Sequence, residues 1–163
     1  MTSKTALITG VTGQDGSYLS ELLAGKNYRV VGIVRAENEK SKPVIEWLKK
    51  EGVEIVVGNL SNQASLVSIF KKAKPDEVYN LAAVSSIDAF AQDPENANNI
   101  TAFAVLRLLE ATRKIIPDAR FFQASSAQIF GNPSESPQKE NTPFQPNNAY
   151  GIAKLYAHLT TRY

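Results

Sequence analysis

Thr5-Ala-Leu-Ile-Thr9-Gly10-Val-Thr-Gly13-Gln-Asp-Gly16 decides the fold of this chain. Its apolar run reads as a short buried strand that stops at Gly10, and Tyr18, Leu19, Leu22 and Leu23 then recur at helical spacing. Three glycines, each three residues from the next, therefore join a strand to a helix. Gly10 suits the tight turn, Gly13 lets backbone approach a pyrophosphate, and Gly16 permits close packing, while the free N–H groups of the helix start face an anion. In that context the stretch is expected to cradle a nicotinamide dinucleotide. Its plain alternative is a glycine turn with no ligand.

Working outward, the alternation repeats. Arg29–Val34 is a β-branched run too continuous for a half-exposed strand, as expected of a buried parallel one. Ser41 and Pro43 open a helix through Val44, Ile45, Trp47 and Leu48 that Gly52 ends, and a third strand follows over Val53–Val57. Ser61 is the expected N-cap of a helix ending near Lys74-Pro75, ahead of a strand over Glu77–Leu81. Asp93-Pro94 has the cap and first-turn chemistry of a long helix with Ala102, Val105, Leu106 and Leu109 on one face, followed by a strand over Arg120–Ala124. Residues 131–148 hold four prolines among Ser and Asn and read as a loop, and helical periodicity returns from Ala149.

Five strands alternating with helices predict an α/β fold, a doubly wound parallel sheet. Ligands of such sheets lie beyond the carboxyl ends of the strands. Here those ends are Gly10, Val34-Arg35, Gly58-Asn59, Ala82-Ala83 and Ser125-Ser126. An acidic residue at the end of the second strand would suit the ribose 2′-hydroxyl of NAD, whereas Arg35 suits the 2′-phosphate of NADP, with Glu37 and Glu39 nearby pulling the other way. NADP is the expected cofactor.

Composition removes other classes. Length fits one domain, and 43% apolar with 21% charged residues is ordinary for a globular chain. The net charge of +2 is scattered, so no nucleic-acid partner is expected. There is no Cys, and His158 is the single His, so neither disulfides nor a metal centre is expected. No apolar stretch approaches the ~20 residues that span a bilayer, so no membrane partner is expected and the location is read as cytoplasmic.

Tyr150-Gly-Ile-Ala-Lys154 places a phenol and an ammonium one helical turn apart. The ammonium stabilises the phenolate, so that Tyr150 can exchange a proton with a sugar hydroxyl. Ser125 and Ser126 end the fifth strand, where a hydroxyl can orient the substrate oxygen during hydride transfer.

These motifs together resemble the extended short-chain dehydrogenase/reductase family, NAD(P)-binding Rossmann proteins that modify nucleotide sugars. Within it, Thr9–Leu19, Pro75–Ala83 and Phe122-Gln-Ala-Ser125 are similar to the NADP-dependent GDP-mannose 4,6-dehydratase group, with Gln14-Asp15 the most specific part. The resemblance implies oxidation of the hexose at C4 and loss of water across C5 and C6. It implies Ser126 at the catalytic Ser/Thr position, Tyr150 as acid/base, and Lys154 as the residue that holds the nicotinamide ribose and tunes the tyrosine. It implies that Gly10, Thr12, Gly13, Gln14, Asp15, Gly16, Arg35, Asn59, Leu60, Leu81, Ala82, Ala83, Tyr150 and Lys154 line the NADP.

Several positions depart from the group. The C5 proton is taken there by a glutamate, and here that position is Gln128, a neutral amide that cannot accept a proton at useful pH. Asp88 and Glu135 are conceivable substitutes. Asn59 replaces an aspartate that meets the adenine, Val84 and Ser86 replace Gln and His, and Thr101 replaces Asp or Asn in its helix. Relatives are also about twice as long, so 1–163 is expected to be the NADP-binding domain, stopping before the lobe that holds the nucleotide sugar. A homodimer packed through the long helix and the Tyr150 helix is implied as well. Three readings stay open: a GDP-mannose dehydratase, a nucleotide-sugar reductase or epimerase lacking the dehydration base, and a cofactor-binding module without catalysis.

Overall fold

In the computed structural model, which describes residues 3–163, five strands lie in the order β3-β2-β1-β4-β5. They are β1 (Thr5–Thr9), β2 (Arg29–Val34), β3 (Glu54–Val57), β4 (Glu77–Asn80) and β5 (Arg120–Gln123). β1 pairs in parallel with β2 on one side and β4 on the other, with Thr9 opposite both Ile33 and Asn80. Chain order reverses at β1, so the switch point of the doubly wound sheet falls at the glycine turn. Three strands end one residue short of the expected bounds: β3 begins after Val53, β4 stops before Leu81 and β5 before Ala124.

The helices are α1 (Gln14–Gly25), α2 (Lys42–Lys50), α3 (Gln63–Ala73), α4 (Ile87–Gln92), α5 (Pro94–Asn98), α6 (Ala104–Ile115) and α7 (Ala149–Arg162), with a π-helical segment over Asn99–Phe103 and a 3₁₀ turn over Ala127–Ile129. Asn62, not Ser61, caps α3 by accepting from Ser65 N–H, while Ser61 donates its own N–H to Asn59. Ser41 precedes α2 without capping it, and Asn38 Oδ1 takes the Ser41 N–H instead. On α1, Leu23 is buried and Leu19 partly so, but Tyr18 and Leu22 are exposed, so its apolar stripe is narrower than expected. The helix expected from Asp93-Pro94 is interrupted by the π segment, whose wider turn shifts the register. Within α6, Leu106 is exposed, and Val105, Leu108, Ala111 and Thr112 are buried.

The described chain divides into two compact units. The first, residues 3–82 and 107–122 of those described, holds β1–β4, most of β5, and two apolar clusters. One joins Leu7, Val31, Val78, Phe70 and Leu108, the other Ile8, Val30, Leu23, Ile45 and Leu48. Fully buried β1 lies at the centre of both, which is why its short run tolerates no polar side chain except Thr9 and Thr5. The second unit, residues 83–106 and 123–163, is built around Phe90, Ala97, Ala102 and Ala153, with Val84 and Tyr150 packed against them. Among the described residues no helix is long and apolar enough to cross a membrane.

Candidate active site

The first unit holds a backbone cradle. Gly10 adopts φ +69°, and a Cβ there would lie 2.8 Å from Ala82 N and 2.9 Å from Leu81 C. Only glycine meets both demands. Thr9 holds that close approach in place: its buried hydroxyl donates to Asn80 Oδ1 and accepts from Ala82 N–H at 3.1 Å. A Cβ on Gly16 would stand 2.2 Å from Gly10 O, so the first turn of α1 sits directly on the loop. Gly13 differs, because its Cβ would meet nothing but Gly10 O, at 3.3 Å. It is the N-cap of α1 and no side chain caps that helix. The cradle therefore fits a dinucleotide pyrophosphate: an uncapped helix start, a single close contact at Gly13, and exposed Gln14 and Asp15 beside it.

Around the cradle, Arg35 follows β2 and is exposed. Glu37 gives its carboxylate to Lys49 Nζ at 2.9 Å, which removes one competitor for the guanidinium, and Glu39 remains exposed. Asn59 Oδ1 accepts the Ser61 N–H at 2.9 Å, which leaves its amide nitrogen facing away from that turn's backbone donor. Leu60 packs against the core, and Leu81 and Ala82 run alongside Gly10. Thr12 is half-buried in the turn.

The second unit gathers the polar side chains. Ser126 caps the 3₁₀ turn, its Oγ accepting from Gln128 N–H at 3.2 Å, and Ser125 is exposed beside it. The same turn abuts α7, since a Cβ on Gly151 would lie 2.5 Å from Gln128 O. Lys154, buried at 3% exposure, donates from Nζ to Ala124 O at 2.9 Å, and the ammonium lies 5.8 Å from the Tyr150 ring centroid. Burial pushes the lysine below its ordinary pKa. Tyr150 is held edge-on by Phe90 at 5.9 Å. Ala124, Ser126, Gln128, Tyr150 and Lys154 are thus brought together by two elements, the end of β5 and the first turns of α7.

The substitutes for a glutamate at 128 fare differently. Glu135 is taken up inside its loop by the Thr142 hydroxyl and by Lys139 at 3.4 Å. Asp88 sits in the first turn of α4, exposed. Ser86 caps that helix, and buried Thr101 accepts the Val84 N–H at 3.0 Å, tying the segment after β4 to the π turn next to Ala83. Sequence reasoning missed two things. One is Asn148, whose position just before a helix is itself an N-cap signal. The other is an open cleft of about 840 Å³ lined in part by Ser125, Ser126, Phe130, Phe144, His158 and Arg162, residues too scattered in sequence to associate.

The family model described as GDP-mannose 4,6 dehydratase matches residues 7–163. GDP-mannose 4,6-dehydratase of Vibrio cholerae serotype O1 is 42% identical over 169 residues, covering 99% of this chain and 45% of that protein. The human GDP-mannose 4,6 dehydratase is 43% identical over 162 residues, covering 94% and 44%. Among solved structures, the UDP-glucose 4-epimerase from Brucella ovis in complex with NAD superposes with a TM-score of 0.83 at 27% identity, over 99% of this chain and 48% of that one. The UDP-Glc/GlcNAc 4-epimerase from Campylobacter jejuni reaches 0.89 at 22% identity, over 98% and 48%, a likeness of fold. The chain spans about half the length of the curated relatives it matches.

Proposed function

The chain belongs to the GDP-mannose 4,6-dehydratase family, and from that premise we propose that it binds NADP and takes part in oxidising a nucleotide sugar, GDP-mannose, at C4. The supporting observation is the buried Lys154 ammonium, fixed on Ala124 O one helical turn from Tyr150 and beside the turn that carries Ser126. Burying an ammonium costs several kcal/mol unless it is paired or used, and one carbonyl is thin compensation. A role toward the phenol and a ribose hydroxyl gives that burial a purpose.

When bound, NADP supplies the hydride acceptor for the sugar C4. The residues of this chain do the rest. Gly10, Gly13 and the start of α1 receive the pyrophosphate, and Arg35 receives the 2′-phosphate. Ser126 orients the C4 hydroxyl, Tyr150 accepts its proton, and Lys154 lowers the cost of the phenolate. A cytoplasmic location belongs to the same reading. So does a homodimer, supported by an apolar face of Phe103, Ile152, Tyr156 and Leu159, each more than a third exposed. Light scattering on the purified protein tests the dimer, and a monomer at micromolar concentration refutes it.

Gln128 favours a second reading, in which the sugar is oxidised or reduced at C4 without losing water. One incubation separates the two. With NADP and GDP-mannose, a 4-keto-6-deoxy product supports dehydration, and C4 redox chemistry with the C6 hydroxyl retained supports the reductase or epimerase. Turnover that survives Tyr150→Phe contradicts both.

A further inference from the structure

Asn148 joins two features described separately above. Its Oδ1 accepts the Gly151 N–H at 2.8 Å and so caps α7, the helix that bears Tyr150 and Lys154. Its Nδ2 donates to Gln128 Oε1 at 2.9 Å and to Asn147 Oδ1 at 3.1 Å, and Asn147 Nδ2 continues to Asn132 Oδ1 at 3.0 Å. The orientation of every amide in this row follows from one unambiguous group. A backbone N–H can only donate, so Asn148 must turn its oxygen to Gly151. Its nitrogen then faces Gln128, and Gln128 must answer with its oxygen. What Gln128 has left is Nε2, two donors on an exposed side chain with no bonded partner among the described residues.

We infer that Asn148 is a positioning residue that fixes position 128 as a hydrogen-bond donor toward an oxygen of the sugar, a hydroxyl or the C4 carbonyl. This rests on the nucleotide-sugar reading above. It goes further than noting a missing base: the amide is committed to the opposite polarity, able to bind an oxygen and unable to take a proton from carbon. The same geometry accepts Gln128→Glu without loss of the cap, because Asn148 Nδ2 donates equally well to a carboxylate.

The decisive variant is Asn148→Asp in the intact protein. An aspartate still caps α7, so the melting temperature stays within a degree or two of the parent, whereas Asn148→Ala lowers it by several degrees. The aspartate has no donor for Gln128, so the glutamine amide turns over and presents its oxygen. Two readouts follow. In a ¹H–¹⁵N spectrum the Gln128 side-chain amide protons, exposed in the parent, shift and exchange more slowly in Asn148→Asp. In C4 redox turnover of GDP-mannose, kcat falls at least tenfold with KM for NADP unchanged. Gln128 amide signals identical in parent and variant overturn the proposal, as does an unchanged kcat in a variant that turns over. Absence of turnover in the parent refutes the functional reading alone, and the spectrum still decides the orientation of Gln128.

Discussion

The glycine turn and the Asn148 row solve the same problem, holding polar groups in fixed directions, by opposite means. At the glycine turn the groups offered are backbone N–H bonds, and what holds them is the absence of side chains: at Gly10 and Gly16, atoms at 2.2–2.9 Å from where a Cβ would stand leave no slack. At Ser126–Gln128 and Asn148–Lys154 the groups offered are side chains, held by one another across twenty or thirty residues of sequence. A site built from backbone is rigid and expensive to alter. One built from side chains is cheap to alter and easily retuned, and the departure from the family at Gln128 falls in the second kind.

The sharpest way to break this comparison is Lys154→Met. Turnover in the intact protein is expected to fall about 10²- to 10⁴-fold, the usual worth of acid–base assistance. Stability should hold or rise, since a desolvated charge is replaced by an apolar chain of similar length. Urea denaturation showing a loss of several kcal/mol would mean that the lysine is structural. Next in size, Gly16→Ala forces a Cβ onto Gly10 O and is expected to cost about 3 kcal/mol by the same measurement. Gly13→Ala, whose Cβ would touch only Gly10 O at 3.3 Å, should cost about 1 kcal/mol while weakening NADPH binding about tenfold. Equal stability loss at both glycines would show that the turn is merely tight and not shaped for a ligand.

A control sits at the opposite end of the strands. Buried Glu77 accepts from Tyr79 at 2.7 Å, Tyr28 at 3.3 Å and Lys4 at 3.2 Å, and Arg120 adds positive charge nearby. The Tyr79 bond, and then Lys4 and Tyr28, hold its carboxyl below the ordinary glutamate range despite burial. Its contribution is therefore complete above the unfolded glutamate pKa and is lost as pH falls through the depressed folded value. Tyr79 runs the other way: burial and the carboxylate push it up to about 12, so its share is complete below 10 and lost as pH rises through about 12. Glu77→Gln should cost about 1–2 kcal/mol at neutral pH, flatten the acid side of the stability profile and leave cofactor affinity unchanged. The smallest effect is expected at Arg35→Ala, where the preference for NADPH over NADH falls about tenfold and stability moves by less than about 0.5 kcal/mol. Equal affinities for the two cofactors in the parent would refute the assignment of NADP.

The contrast also explains what could be read from sequence. The glycine turn was legible because its constraint is local: a buried run, three glycines and a helix start lie within twelve residues. The five strands and their parallel order were legible for the same reason. Asn148 was not, because the meaning of an amide depends on which group it meets, and Gln128 lies twenty residues away. Nor was the face of α6, because neighbouring apolar positions compete for it: Val105, Leu108 and Thr112 are buried at ordinary helical spacing while Leu106, next to Val105, is exposed.

That π segment also sets where this chain can change length. A π turn holds one residue more than an α turn. Removing one residue from Asn99–Phe103 would let the wide turn close to an ordinary one, so a single-residue deletion can be absorbed there. A second deletion finds no surplus left to take up and should unfold the segment around buried Thr101 and Ala102, whereas the exposed stretch around Ser136–Lys139 tolerates changes of any small length.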